Sequence, residues 1–234
     1  MLNDYSILNK TQETNLSLLP PLDKLKIPVI GSPLFIISNP DLVIAQCKAG
    51  VIGSFPALNA RPQHVLEEWI VRIKTELAEY QEQNPEAKVA PFAVNQICHG
   101  SNDRLMDDMA TCVKHEVPII ITSLRPPAEL VEAAHSYGGL VFHDVINVRH
   151  AKKAAEQGVD GLILVAAGAG GHGGTLHPMA LINEIKTFLR LNCFKLQGPK
   201  LMTKSPISLK FACVNFKYSN LPNNCVGPFN RVSR

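Results

Sequence analysis

The sequence predicts an α/β protein of the β/α-barrel type, read over six strand–helix units. Three observations predict it. Short runs rich in Val, Ile and Leu alternate with helical patterns from Ile27 to Arg190. Those runs are apolar throughout, as expected of parallel strands covered on both faces. Polar residues sit at the strand ends: Ser32, Ser54, Asn95, Ser123, His143, Asp144 and a glycine loop containing His172. Right-handed crossovers wind such units one way, into either an open doubly wound sheet or a closed barrel. Polar strand ends favour the barrel, whose functional residues gather at the C-terminal ends of its strands.

The elements follow in order. "IPVIGSP" (27–33) reads as the first strand and "NPDLVIAQCKAG" (39–50) as its helix. In that helix Asn39 is placed to cap, Pro40 suits the first turn and Gly50 the stop. "VIGSF" (51–55) is the second strand. The helix after it spans 62–83, with Val65, Leu66, Trp69, Ile70, Ile73 and Leu77 at helical spacing. That apolar run reads as core. "APFAVNQ" (90–96), "VPIIITS" (117–123), "GLVFHDV" (139–145) and "DGLILVAA" (160–167) are strands three to six. Helices are expected over 103–115, 127–138, 147–158 and 177–190. His143 follows Phe142 on its strand and so faces away from the residues beside it, a structural position.

Residues 1–26 read as an N-terminal extension. They lack a basic stretch followed by an apolar core, so no signal peptide is expected. No run of about 20 apolar residues occurs, so no membrane span is expected. The chain reads as cytoplasmic. Its six cysteines are irregularly spaced with no C-x-x-C pair, which predicts free thiols and no metal site.

The net charge of +3 conceals an asymmetry. All twenty Asp and Glu lie before residue 191, beside sixteen Lys and Arg; residues 191–234 hold seven Lys and Arg and no acid. The strand–helix rhythm also stops there. Residues 191–234 therefore read as a divergent, poorly packed basic tail. Having no repeated basic cluster, it does not predict nucleic-acid binding.

The stretch "GAGGHGGT" (168–175) holds five glycines around His172. Glycine lets a ligand approach the backbone closely. No Lys-Ser/Thr follows, so it is not a P-loop, and its place after the sixth strand is not that of a dinucleotide fingerprint. Ser54 and Ser123 have no paired base in the pattern and do not suggest a nucleophilic triad.

Residues 27 to about 190 closely resemble the nitronate monooxygenases, also called 2-nitropropane dioxygenases. The matching stretches are "NPDLVIAQCKAGVIGSFPALNARP", "APFAVNQ", "VPIIITS", "HSYGGLVFHDVIN" and "DGLILVAAGAGGHGGT". The resemblance implies a TIM (β/α)8-type barrel with FMN across its C-terminal mouth. It implies oxidation of an alkyl nitronate with O2 to a carbonyl compound and nitrite. Ser32, Pro33 and Leu34 match the loop whose backbone meets the isoalloxazine. Asn95 matches an amide that contacts the flavin. Asp144 stands where members carry lysine or aspartate near the flavin. Gly170 and Gly171 match backbone beside the cofactor, and His172 matches the active-site histidine, a base for nitroalkanes or a donor to nitronates. The family's phosphate-holding turns follow strands seven and eight, and neither is readable after Arg190. The chain thus reads as a barrel truncated to six units that holds FMN weakly. Two other readings stay open: a non-catalytic remnant of that enzyme, and a related FMN barrel such as an enoyl reductase. Oligomeric state is not predicted.

Overall fold

A computed structural model describes residue 22 and residues 25–125, 128–169 and 173–195, with no side-chain description for the last eight. Five parallel strands form one sheet: β1 (Gly53–Pro56), β2 (Phe92–Cys98), β3 (Ile119–Leu124), β4 (Leu140–Val145) and β5 (Gly161–Leu164). They lie side by side in chain order. The helices are α1 (Pro40–Lys48), α2 (Val65–Gln83), α3 (Leu105–Lys114), α4 (Ala128–His135), α5 (Val148–Glu156) and α6 (Pro178–Lys195). α6 thus runs past Arg190, where the sequence pattern stops. The expected basic tail otherwise lies outside the described residues, as does most of the N-terminal extension.

The expectation of six strands needs one correction. The predicted first strand, 27–33, makes only a single parallel bridge, Ile30 to Ile52. Its two ladder bonds are Gly31 N to Ile52 O (2.7 Å) and Ile52 N to Val29 O (3.1 Å). The reason lies in its composition. Pro28 and Pro33 frame the segment and lack the N–H that a longer ladder requires. The described sheet is therefore five strands and a bridge, and it carries the barrel's strand order without a closed ring.

Helix ends follow the local chemistry. Asn39 Oδ1 accepts from Leu42 N at 3.0 Å, with Pro40 in the first turn of α1. Asn147 Oδ1 caps α5 by accepting from His150 N at 2.9 Å. After α1 the chain turns at Gly50, whose φ of 82° suits a residue with no Cβ.

Strand residues alternate between two separate apolar cores. Phe55, Val94, Ile120, Val141 and Leu162 face one of them. Every helix, α1 to α6, contributes to that core, through residues such as Val43, Ile70, Met109, Val131, Ala154 and Leu181. Trp69 packs on Phe55 with ring centroids 5.5 Å apart. The alternate residues, Ile52, Ala93, Ile121, Phe142 and Ile163, form the other core with Leu22, Leu25 and Ile30. None of α1 to α6 contributes to it. Helices on one face only, with strands in chain order, are barrel geometry; a doubly wound sheet has helices on both faces and a reversal of strand order.

His143 lies on the helix side, as its place in the strand predicts. It is buried, and its Nδ1 is 2.8 Å from Thr122 Oγ1. Burial holds its pKa below the usual histidine value, against the opposing pull of Asp144 and with the help of His150. Cys47, Cys98 and Cys112 are free, buried thiols; desolvation pushes them up to about 12, 11 and 12. They are poor nucleophiles in that state. No described helix is long and apolar enough to cross a membrane, and no described group of His, Cys, Asp and Glu is placed to hold a metal.

His143 gives the fold a pH dependence of known sign. Its folded pKa is depressed, so the unfolded chain binds more protons below the ordinary value of about 6.5. The contribution is present above that pH and is lost as pH falls towards the folded pKa. His143→Gln keeps a polar neutral group there and removes the titration. Melting temperatures from pH 7 down to 5 are expected to fall less steeply in the variant than in the natural chain. Parallel acid limbs would contradict a buried neutral imidazole.

Candidate functional site

The inner face changes character at the C-terminal ends of its strands. Below, it is apolar: Ile52, Ala93, Ile119, Ile121, Leu140 and Phe142. Further along, the same alternation places Asn95, level with Ile121 and Phe142, and then Ser123 and Asp144; Ser54 stands lower, opposite Ala93. Register sets Ser123 level with Asp144, since Thr122 pairs with His143, and Asn95 one inward-facing position below Ser123, since Asn95 pairs with Ile121.

Their hydrogen bonds are specific. Asn95 is buried, and its Nδ2 donates to Ser123 Oγ at 2.9 Å and to Ile121 O at 3.2 Å. Both amide hydrogens are thereby used, leaving Oδ1 as the acceptor. Asp144 is half-buried, and its Oδ1 accepts from Leu124 N at 3.3 Å. Leu124 has φ of 79°, which a non-glycine residue rarely adopts. Cys98, at the end of β2, is close enough to Asp144 for the carboxylate to help raise its thiol pKa, after the larger effect of burial. The buried Ser54 donates through Oγ to Gly31 O and ties the first loop to β1.

The loop carrying Ser32, Pro33 and Leu34 crosses the same end of the sheet. All three are half-buried. Ser38, fully buried, accepts from Leu34 N at 2.9 Å and donates to Ser32 O at 3.4 Å. Asn59, in the turn after β1, donates to Leu34 O and Ser38 O. The sequence pattern pointed to neither Ser38 nor Asn59. Their one visible signal was position, just before a helix cap and just after a strand end.

Gly170, Gly171 and His172 lie outside the described residues, but both flanks of their loop are described. Gly174 N bonds Val165 O at 2.9 Å, and Ala167 N bonds Leu176 O at 2.8 Å. A Cβ on Gly174 would stand 2.7 Å from Val165 O and 3.1 Å from Ile146 O, so only glycine fits there. Those two carbonyls follow the ends of β5 and β4. The flanks are thus held at the same end of the sheet as Asn95 and Asp144.

The turn after β1 is anchored in its own way. Arg104 Nη1 donates to Ala60 O at 3.0 Å, and its Nη2 meets Asp108 Oδ1 at 2.9 Å. Asp108 is fully buried; desolvation raises its pKa, and Arg104 opposes that. A groove of about 450 Å3 opens nearby between the β2–α3 and β3–α4 loops, lined in part by Cys98, His99, Asn102, Met106 and Arg125.

Solved structures share this architecture. FabK from Thermotoga maritima superposes with a TM-score of 0.59 at 21% identity, covering 71% of this chain and 49% of its own. A nitroalkane oxidase from Streptomyces ansochromogenes superposes with a TM-score of 0.59 at 17% identity, covering 70% and 57%. The resemblance to the nitronate monooxygenase family holds in the fold. By sequence, a protein assigned as a monooxygenase in Mycobacterium tuberculosis is 36% identical over 72 residues, covering 30% of this chain and 19% of that protein. A hydroxy-methyl-oxo-octahydroindene-carboxyl-CoA dehydrogenase of Rhodococcus jostii is 25% identical over 158 residues, covering 68% of this chain and 41% of that protein. The chain therefore spans less than half of these curated relatives and about half of the solved structures. No family model matches it.

The Arg104–Asp108 pair yields a stability test. Removing one member of a buried pair leaves an uncompensated charge and costs about 3–5 kcal/mol, whereas replacing both with apolar groups is often neutral. Arg104→Met is expected to lower urea-unfolding stability by about 3 kcal/mol. Adding Asp108→Leu is expected to recover most of that. A single-variant loss below about 1 kcal/mol would mean that the pair does not bear on the turn.

Proposed function

We propose that this chain carries the flavin-facing part of a nitronate monooxygenase, with FMN across the C-terminal ends of its strands. One observation carries the reading: Asn95, Ser123 and Asp144 add a connected polar group to the apolar inner face towards the end where the first loop and the flanks of the glycine loop are held. This arrangement fits a flat, mostly apolar ring with a polar edge. Asn95, with both amide hydrogens engaged, offers Oδ1 to an N–H donor of such a ring. Bound there, FMN would supply the electron acceptance that the oxidation of a nitronate by O2 requires.

The chain's own residues have four tasks. Ser32, Pro33 and Leu34 present loop backbone to the ring. Asn95 orients its polar edge, with Ser123 fixing the amide's rotation. Asp144 places a carboxylate at the rim and holds Leu124. Gly170 and Gly171 allow close approach beside His172. An ordinary imidazole titrates near about 6.5 and takes a proton at neutral pH. For a neutral nitroalkane, His172 removes the α-proton; for a nitronate, already lacking it, His172 donates a hydrogen bond. The products are a carbonyl compound and nitrite.

A nicotinamide-dependent reductase on the same fold is the second reading. The 158-residue match to the CoA-ester dehydrogenase favours it. Nicotinamide oxidation without nitronate consumption would select it.

The test uses His172→Asn with flavin content matched to the natural chain. General-base help is worth about 10²- to 10⁴-fold. Nitroalkane turnover is expected to fall by that range while nitronate turnover falls far less. Equal losses on both substrates would remove the base role. Failure to bind FMN even in excess, read by flavin absorbance after gel filtration and by titration, would favour the non-catalytic remnant.

A further inference from the structure

Asn59 uses every polar atom of its side chain on one loop that lies 21 to 25 residues away in sequence. Its Nδ2 donates to Leu34 O at 2.9 Å and to Ser38 O at 2.8 Å. Its Oδ1 accepts from Ile36 N at 3.1 Å. Three main-chain groups of the 34–38 turn are satisfied by one carboxamide. An apolar side chain of the same size supplies none of these bonds.

The loop needs that support. Ile36 has φ of 68°, a left-handed conformation that costs a β-branched residue free energy. Phe35, Ile36 and Ile37 are 60%, 70% and 54% exposed, so burial of the tip does not hold the turn in place. Its internal bonds, Ser38 N to Leu34 O (3.0 Å) and Leu34 N to Ser38 Oγ (2.9 Å), close the turn on itself without fixing it to the sheet. The upstream attachment is Gly31, bonded to Ile52 and Ser54. Asn59 is the downstream one. Ser32 and Pro33 lie between these two attachments. Arg61 adds a weaker contact, its guanidinium 5.4 Å from the Phe35 ring.

We propose that Asn59 is a positioning residue for the cofactor: it sets the place of the Ser32–Pro33–Leu34 backbone against the ring without touching the ring itself. The inference rests on the flavin reading for its ligand. The clamp on the loop stands on geometry alone.

Two variants test it. Asn59→Leu removes all three bonds at nearly constant volume. Asn59→Asp retains the acceptor for Ile36 N and turns a second oxygen towards two carbonyls. Amide hydrogen exchange is measured at Leu34, Ile36 and Ser38, with Val94 and Gln96 of β2 as the fold reference. FMN affinity is measured by quenching of flavin fluorescence on titration with protein. In Asn59→Leu, exchange at the three loop amides is expected to rise at least tenfold, β2 exchange to stay within about twofold, and FMN affinity to fall at least tenfold. In Asn59→Asp, Ile36 is expected to stay more protected than in Asn59→Leu, while FMN affinity still falls. Should Asn59→Leu raise β2 exchange as well, Asn59→Asp decides by the same criteria. Unchanged loop exchange overturns the clamp. Faster loop exchange with unchanged FMN affinity overturns the cofactor role. A natural chain that binds no FMN overturns the flavin reading and the cofactor role with it, while the exchange data still decide whether Asn59 holds the loop.

Discussion

Every strand of this sheet answers to two cores at once. The helices α1 to α6 lie on one side only, so alternate residues face either that helix layer or an inner face that none of them covers. The physical cause is the handedness of the crossovers together with consecutive strand order. Each unit returns its helix to the same side. The inner face is then free to carry chemistry at its ends, because none of these helices competes for that surface. The same alternation explains why His143 and Asp144, adjacent in sequence, have different roles: one is buried against Thr122 and held neutral, the other sits at the rim.

The rim is built by satisfying polar groups in pairs. Asn95 is held by Ser123 and Ile121, and Asp144 by Leu124. Buried polar groups without partners are costly, so such pairs restrict each side chain to one arrangement. Under the proposed function, a ring docking there would meet oriented groups, with little ordering left to be done on binding. Ser54 extends the same logic to the loop before α1 by donating to Gly31 O.

Support for the rim continues outward through β1 and the turn that follows it. Asp108 holds Arg104, Arg104 holds the Ala60 carbonyl, and Asn59 next to it holds the 34–38 turn. This series joins α3 to the loop before α1 through polar contacts at half-buried and buried positions. Its members are coupled by direct bonds, so substitutions along it are expected to be non-additive. The left-handed residues Ile36 and Leu124 each have their N–H bound by an Asn or Asp side chain at this end of the sheet. Unusual backbone conformations persist where surrounding bonds over-determine them.

Period-two and period-3.6 patterns are local, and they made the strands β1 to β5, all the helices and the polar strand ends legible in the sequence. Asp144 was readable because a polar residue near the end of an apolar strand is conspicuous; Asn95, read as ending its strand, lies in the middle of β2, which runs on to Cys98. Asn39 was readable because a cap acts within three residues. The 27–33 segment misled because its apolar content resembles a strand, whereas its prolines limit it to a single bridge. Asn59 and Arg104 were not legible at all. Their bonds reach loop groups 21 to 44 residues away and leave no periodicity to detect. Local sequence determined which residues lie on strands and which on helices. Tertiary structure alone decided which distant backbone groups they hold, because a hydrogen bond between loops depends on where the sheet places them and not on the spacing of residues along the chain.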